Sequence, residues 1–75
     1  MDLNVFAAET RHIDAHAVAI IAAKDESNVK DLVKALDAAG WLDLDWSNPK
    51  ITQLPLQYSG EPKILETFYS AYPLA

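Results

Sequence analysis

Between Ser27 and Gly40, Val29, Leu32, Val33, Leu36 and Ala39 recur at helical spacing, while Lys30, Asp31, Lys34 and Asp37 fall on the opposite side. A chain carrying this stripe must place one amphipathic helix against an apolar surface. Ser27 can accept an orphan amide hydrogen bond as the N-cap, and Gly40 can take the left-handed conformation that closes the last turn. Trp41 then follows the glycine and can reach back to Leu36.

Past Gly40 the period changes from 3.6 to 2. Leu42, Leu44 and Trp46 alternate with Asp43 and Asp45, and Leu54, Leu56 and Tyr58 alternate with Gln53, Pro55 and Gln57. Two strands follow from that alternation, joined as a hairpin by the turn-forming Ser47-Asn48-Pro49-Lys50. Pro55 lacks an amide hydrogen, so the second strand belongs at a sheet edge.

Ser59-Gly60-Glu61-Pro62 supplies a cap, an early carboxylate and a first-turn proline, which predicts a helix from about Glu61 to Tyr72 that buries Ile64, Leu65, Phe68, Tyr69 and Tyr72. The alanine-rich segment Arg11–Lys24 predicts a further helix, since alanine is the best helix former, with a strand through Ala17–Ala22 as the alternative. Leu3, Val5 and Ala7 predict a short preceding strand. The expected fold is a single α+β domain over residues 1–75, a small two-layer arrangement of about three helices packed on a short antiparallel sheet that contains a β-hairpin.

A chain of 75 residues buries only about 60% of the surface its unfolded form exposes. With no cysteine, it has neither a disulfide nor a Cys/His zinc array to staple the fold. Apolar residues make up 51% of the chain, but twelve residues are alanine, so the bulky core is thin. A thin core and an edge strand both favour sharing surface, which makes homo-oligomerisation an expected variant.

Six basic against eleven acidic residues give a net charge of −5. A negative surface opposes the phosphate attraction that supplies most nonspecific nucleic-acid affinity, and Arg11, Lys24, Lys30, Lys34, Lys50 and Lys63 are scattered singly. Nucleic acid and anionic membranes are therefore disfavoured as partners. The longest apolar run, Ala17–Ala23, is far shorter than the roughly 20 residues of a membrane span, and acidic residues precede it where a secretory signal needs basic ones. A cytoplasmic location is expected.

Chemistry-bearing constellations are few. Glu9, His12 and His16, spaced by three and four residues, would form one stripe on a helix and are the only metal-like spacing, a weak candidate without an identified third protein ligand or a glutamate base between the histidines. The serines are explained as cap, turn or surface residues, and the isolated Gly40 and Gly60 form no phosphate loop. No cofactor is implied and no enzymatic activity is expected.

The remaining concentration of unusual residues is Asp37–Trp46, where three carboxylates and both tryptophans crowd together without a compensating base. With Leu42, Leu44 and Trp46 inward, Trp41, Asp43 and Asp45 share the outer face and set an aromatic anchor beside two carboxylates, the pattern of an interface hot spot. The expected function is a small acidic, non-enzymatic protein-binding module of the adaptor or inhibitor type. It would dock on a larger, basic protein surface through Trp41, Asp43, Asp45, Asp37 and Trp46.

The segment Leu32-Val33-Lys34-Ala35-Leu36-Asp37-Ala38-Ala39-Gly40-Trp41-Leu42, followed by a hairpin, resembles the recognition helix and wing of winged-helix DNA-binding domains. The resemblance covers about a third of the chain and implies a DNA-binding regulator as the first alternative. Asp31 and Asp37 on the helix, and a wing offering only Lys50, depart from that pattern. A metal-binding protein built on Glu9, His12 and His16 is the second alternative.

Overall fold

The computed structural model describes residues 2–12, 15–38, 46 and 48–71. Two long strands, β1 (Asp2–His12) and β2 (Ala15–Ala23), are followed by one helix, α1 (Glu26–Ala38), and then by β3 (Lys50–Ser59) and β4 (Lys63–Ala71). The strands form one antiparallel sheet in the order β3-β1-β2-β4. This overturns the expectation of about three helices on a short sheet: among the described residues there is one helix, and the sheet dominates.

The segment read as a helix from Arg11 to Lys24 is the end of β1 and the whole of β2. Pairing along β1, from Asn4 opposite Ala23 to His12 opposite Ala15, outweighs alanine's helical preference because intrinsic propensity is worth under 1 kcal/mol per residue. The alanines serve packing here. Ala8, Ala17, Ala19 and Ala23 lie on the face that meets α1, where their small side chains let Val29 and Val33 approach Phe6 and Ile21. Leu32, Leu36, Ile51 and Ile64 close the margins of this core.

The segment read as a terminal helix is β4. Its pairing with β2 shifts between Ile20 and Ile21, whose partners are Glu66 and Ile64, so Leu65 is an extra, bulged residue. The bulge breaks the alternation and leaves a spacing that imitates a helix. Thr67, Phe68 and Tyr69 are strand-favouring residues in strand conformation.

The expected hairpin between Leu42 and Tyr58 falls only partly on described residues. Its second half lies in β3, but β3 pairs with β1; residues 41–45 lie outside the described residues, and Trp46 is not in a strand. The Gly40–Leu42 part of the winged-helix resemblance lies outside the described residues as well. Pro55 is at a sheet edge as expected. Between Asn4 and Val5 the β3 partner jumps from Gln57 to Leu54, leaving Pro55 and Leu56 as a bulge where no ladder amide is required.

Helix α1 agrees with its stripe, burying Val29 and Val33. Its N-cap is Asp25 rather than Ser27. The Asp25 carboxylate accepts the Asn28 amide at 2.8 Å, and the Asn28 side-chain oxygen accepts the Lys24 amide at 3.0 Å, so the two side chains satisfy donors on both sides of the helix start. Gly40 lies outside the described residues.

Candidate functional site

The two faces of the sheet differ in what covers them. Pairing places Phe6, Ala8, Ala17, Ala19, Ile21 and Ala23 under α1. The alternate residues point away from the helix and form a grid: Lys50–Glu9–Val18–Phe68 is one row across the four strands, and Thr52–Ala7–Ile20–Glu66 is the next. A third row, Leu54–Val5–Ala22–Lys63, lies further toward the link between β3 and β4.

That link sets the depth of this second face. The strands β3 and β4 are at opposite edges, about 14 Å apart in a flat sheet at ~4.8 Å per strand, and residues 60–62 join them across that end, about the distance four extended Cα steps reach. The Lys63 ammonium sits 5.3 Å from the centroid of the Tyr58 ring. At this end Leu3, Val5 and Ala22, all turned from the helix, are no more than 4% exposed. Gly60 permits the link. Its φ is +148°, and a Cβ there would stand 2.9 Å from Tyr58 Cε2. The contact with Tyr58, first through a side-chain hydrogen bond and then through charge, raises the pKa of Lys63 above the ordinary lysine value.

Toward the other end the apolar face is more exposed. Val18 and Ile20 are half-buried, and Phe68 beside them is 57% exposed. An antiparallel sheet covered on one side ordinarily alternates apolar and polar residues along each strand. Here β1 and β2 are apolar on both sides over much of their length. Sequence reasoning assigned Phe68 to a buried helix face and missed this surface; the signal available was the unbroken apolar run of Ala17–Ala23, which belongs to strands covered on both faces.

The open end has a polar margin. Glu9 and His16, on adjacent strands, form a hydrogen bond at 2.9 Å in which His16 Nε2 donates to the carboxylate, both side chains being about three-quarters buried. The structure thus brings together two members of the expected Glu9, His12 and His16 stripe, through strand pairing rather than along a helix. The side chain of His12 lies outside the described residues. Among the described residues no third metal-ligating side chain joins the pair. A carboxylate holding one imidazole nitrogen fixes the ring's orientation, which makes the pair a rigid polar corner for the apolar face.

Of the residues expected to dock a partner, Trp41, Asp43 and Asp45 lie outside the described residues. Asp37 and Trp46 are engaged with each other: the Asp37 carboxylate accepts the Trp46 amide at 3.2 Å. Trp46 is 2% exposed and belongs to the core under α1. Its rim, with Pro49, forms the floor of a shallow groove of about 430 Å³ whose wall is the Lys30–Lys34 side of α1. That wall carries both charge signs, including an exposed Lys34–Asp31 contact at 3.5 Å worth little in water.

No family model, no curated protein and no solved structure matches this chain. No helix among the described residues is long and apolar enough to cross a membrane.

Proposed function

We propose that this chain is a non-enzymatic protein-binding module whose contact surface is the open end of the sheet face opposite α1. One observation carries the reading: β1 and β2 are apolar on both faces, while α1 covers only one. Burying the exposed part of Phe68 alone is worth on the order of 2 kcal/mol, and Val18 and Ile20 extend the same patch. The polar margin of Glu9, His16 and Lys50 surrounds an apolar centre, the arrangement in which interface anchors are most effective. The acidic balance of the chain adds long-range attraction toward partners with basic surroundings.

The test compares two variants of the tagged chain. Phe68→Asp alters the open face, and Lys34→Ala alters the helix wall of the groove. The expected result is that proteins bound by the unaltered chain, its own copies included, are lost from Phe68→Asp and kept by Lys34→Ala, with both variants retaining a cooperative melt. Loss in Lys34→Ala with retention in Phe68→Asp would move the contact to the groove and refute the assignment.

A further inference from the structure

Strand β4 ends the sheet on its side, and among the described residues no strand pairs with its outer edge. Beyond the bulge at Leu65 its register with β2 runs without a break from Glu66 to Ala71. The Thr67 amide donates to the carboxylate of Glu66 at 3.2 Å, at an exposed position. An amide held by an exposed side chain is turned away from β2. Main-chain groups alternate in direction along an antiparallel strand, so Thr67, Tyr69 and Ala71 point theirs out of the edge.

Two aromatic rings flank that edge. Phe68, in the row of Val18, lies on the side away from α1 and is 57% exposed; Tyr69, opposite the buried Ala17, lies on the α1 side and is 51% exposed. A partner resting on one face covers one ring and leaves the other in water. A strand laid beside β4 borders both, because its own side chains alternate between the same two faces. The outer edge of β3 is less suited to addition, since Pro55 and Leu56 bulge out of its register.

We infer that the β4 edge from Glu66 to Ala71 takes an extended segment of another protein, added as a further strand and carrying a lysine or arginine near Glu66. The inference rests on the protein-binding reading above and names how the partner meets β4. Charge selects the segment: Glu66 is the sole charged residue between positions 66 and 71, in a chain of net charge −5. An incoming carbonyl takes over the Thr67 amide, and the carboxylate released from it meets the basic side chain. Before binding, Glu66 occupies the first donor an added strand needs, and its charge repels an equally acidic second copy.

A blocked peptide of alternating valine and threonine with a central lysine tests the assignment, titrated to about 1 mM into the isotope-labelled chain and read by amide shifts and amide exchange. The Thr67 and Tyr69 amides are expected to shift and to exchange more slowly, and a central glutamate in place of the lysine should weaken binding about threefold or more. Thr67→Pro removes the outward amide at an edge position where proline is tolerated, and it should abolish binding while the circular-dichroism melt stays cooperative. Thr67→Val keeps the amide and should bind as the unaltered chain does. Absence of binding at the highest concentration overturns the inference, as do equal affinities for the lysine and glutamate peptides or shifts confined to Val18 and Ile20. Concentration-dependent shifts of Thr67 and Tyr69 without peptide would assign the edge to a second copy and overturn the basic segment. If Thr67→Pro keeps the proteins that Phe68→Asp loses, the edge assignment fails and the face reading stands. The reverse result sinks the face reading and leaves the edge.

Discussion

Truncating Trp46 separates a core role from a docking role, because the two make opposite demands on the folded state. An indole side chain removed from water accounts for roughly 200–250 Å², which at about 25 cal/mol per Å² amounts to about 5–6 kcal/mol of burial. Replacements of buried aromatic residues by alanine cost about 3–5 kcal/mol after relaxation. Set against the net stability of a chain this size, about 4–11 kcal/mol, that loss removes a large fraction of the whole. Trp46 is 2% exposed and packs with Phe6, Ile21, Val29 and Val33 in one cluster, so Trp46→Ala is expected to lose about 3–5 kcal/mol. With a urea slope of about 1 kcal/mol per molar for a small domain, the midpoint falls by about 3 M or more, or the variant is unfolded without denaturant. Far-ultraviolet circular dichroism is the appropriate probe, since fluorescence loses one of its two indoles with the substitution. A midpoint within about 0.5 M of the unaltered protein, accompanied by loss of partner binding, would show that the indole anchors an interface instead of the core, and the packing argument would fail.

The link between β3 and β4 yields two further expectations. Gly60→Ala forces a β-carbon into a left-handed backbone and against Tyr58 Cε2; the strain, about 1–2 kcal/mol, should lower the melting temperature by about 5–15 °C, and an unchanged melt would mean that the backbone at Gly60 is not held in that conformation against Tyr58. Lys63 holds its proton more tightly in the folded chain, through Tyr58 first, so its contribution is complete below the usual lysine value of 10.5 and is lost as pH rises through the higher folded value. The stability difference between the unaltered chain and Lys63→Met should therefore be constant from neutral pH to about pH 10 and shrink above it; a difference that grew with alkalinity would contradict the sign of the shift.

Helix α1 was legible because Val29, Leu32, Val33 and Leu36 can be read only at one period, and the start differed by two residues because Asp25 and Asn28 satisfy the first amides better than Ser27 does. The strands were harder for reasons that are physical rather than statistical. In β2 every residue from Ala17 to Ala23 is apolar, so no alternation distinguishes its two sides, and alanine weights the reading toward helix although pairing with β1 decides it. In β4 the bulge at Leu65 shifts the facing of Ile64 relative to Phe68 and produces a false helical stripe. The Glu9–His16 contact shows the same limit, since a separation of seven residues brings side chains together along a helix and also diagonally across a hairpin of this register.

These difficulties share a cause that bears on function. A strand with one face toward solvent announces itself by alternation, and β2 does not alternate. The absence of polar residues on the side away from α1 confused the sequence reading for the same reason that it makes the open face unfavourable in water. Val18, Ile20 and Phe68 have no structural task toward α1, because pairing turns them from it. Their burial against another protein chain is the arrangement that would make the composition of β2 energetically consistent, with each side of the strand meeting an apolar neighbour.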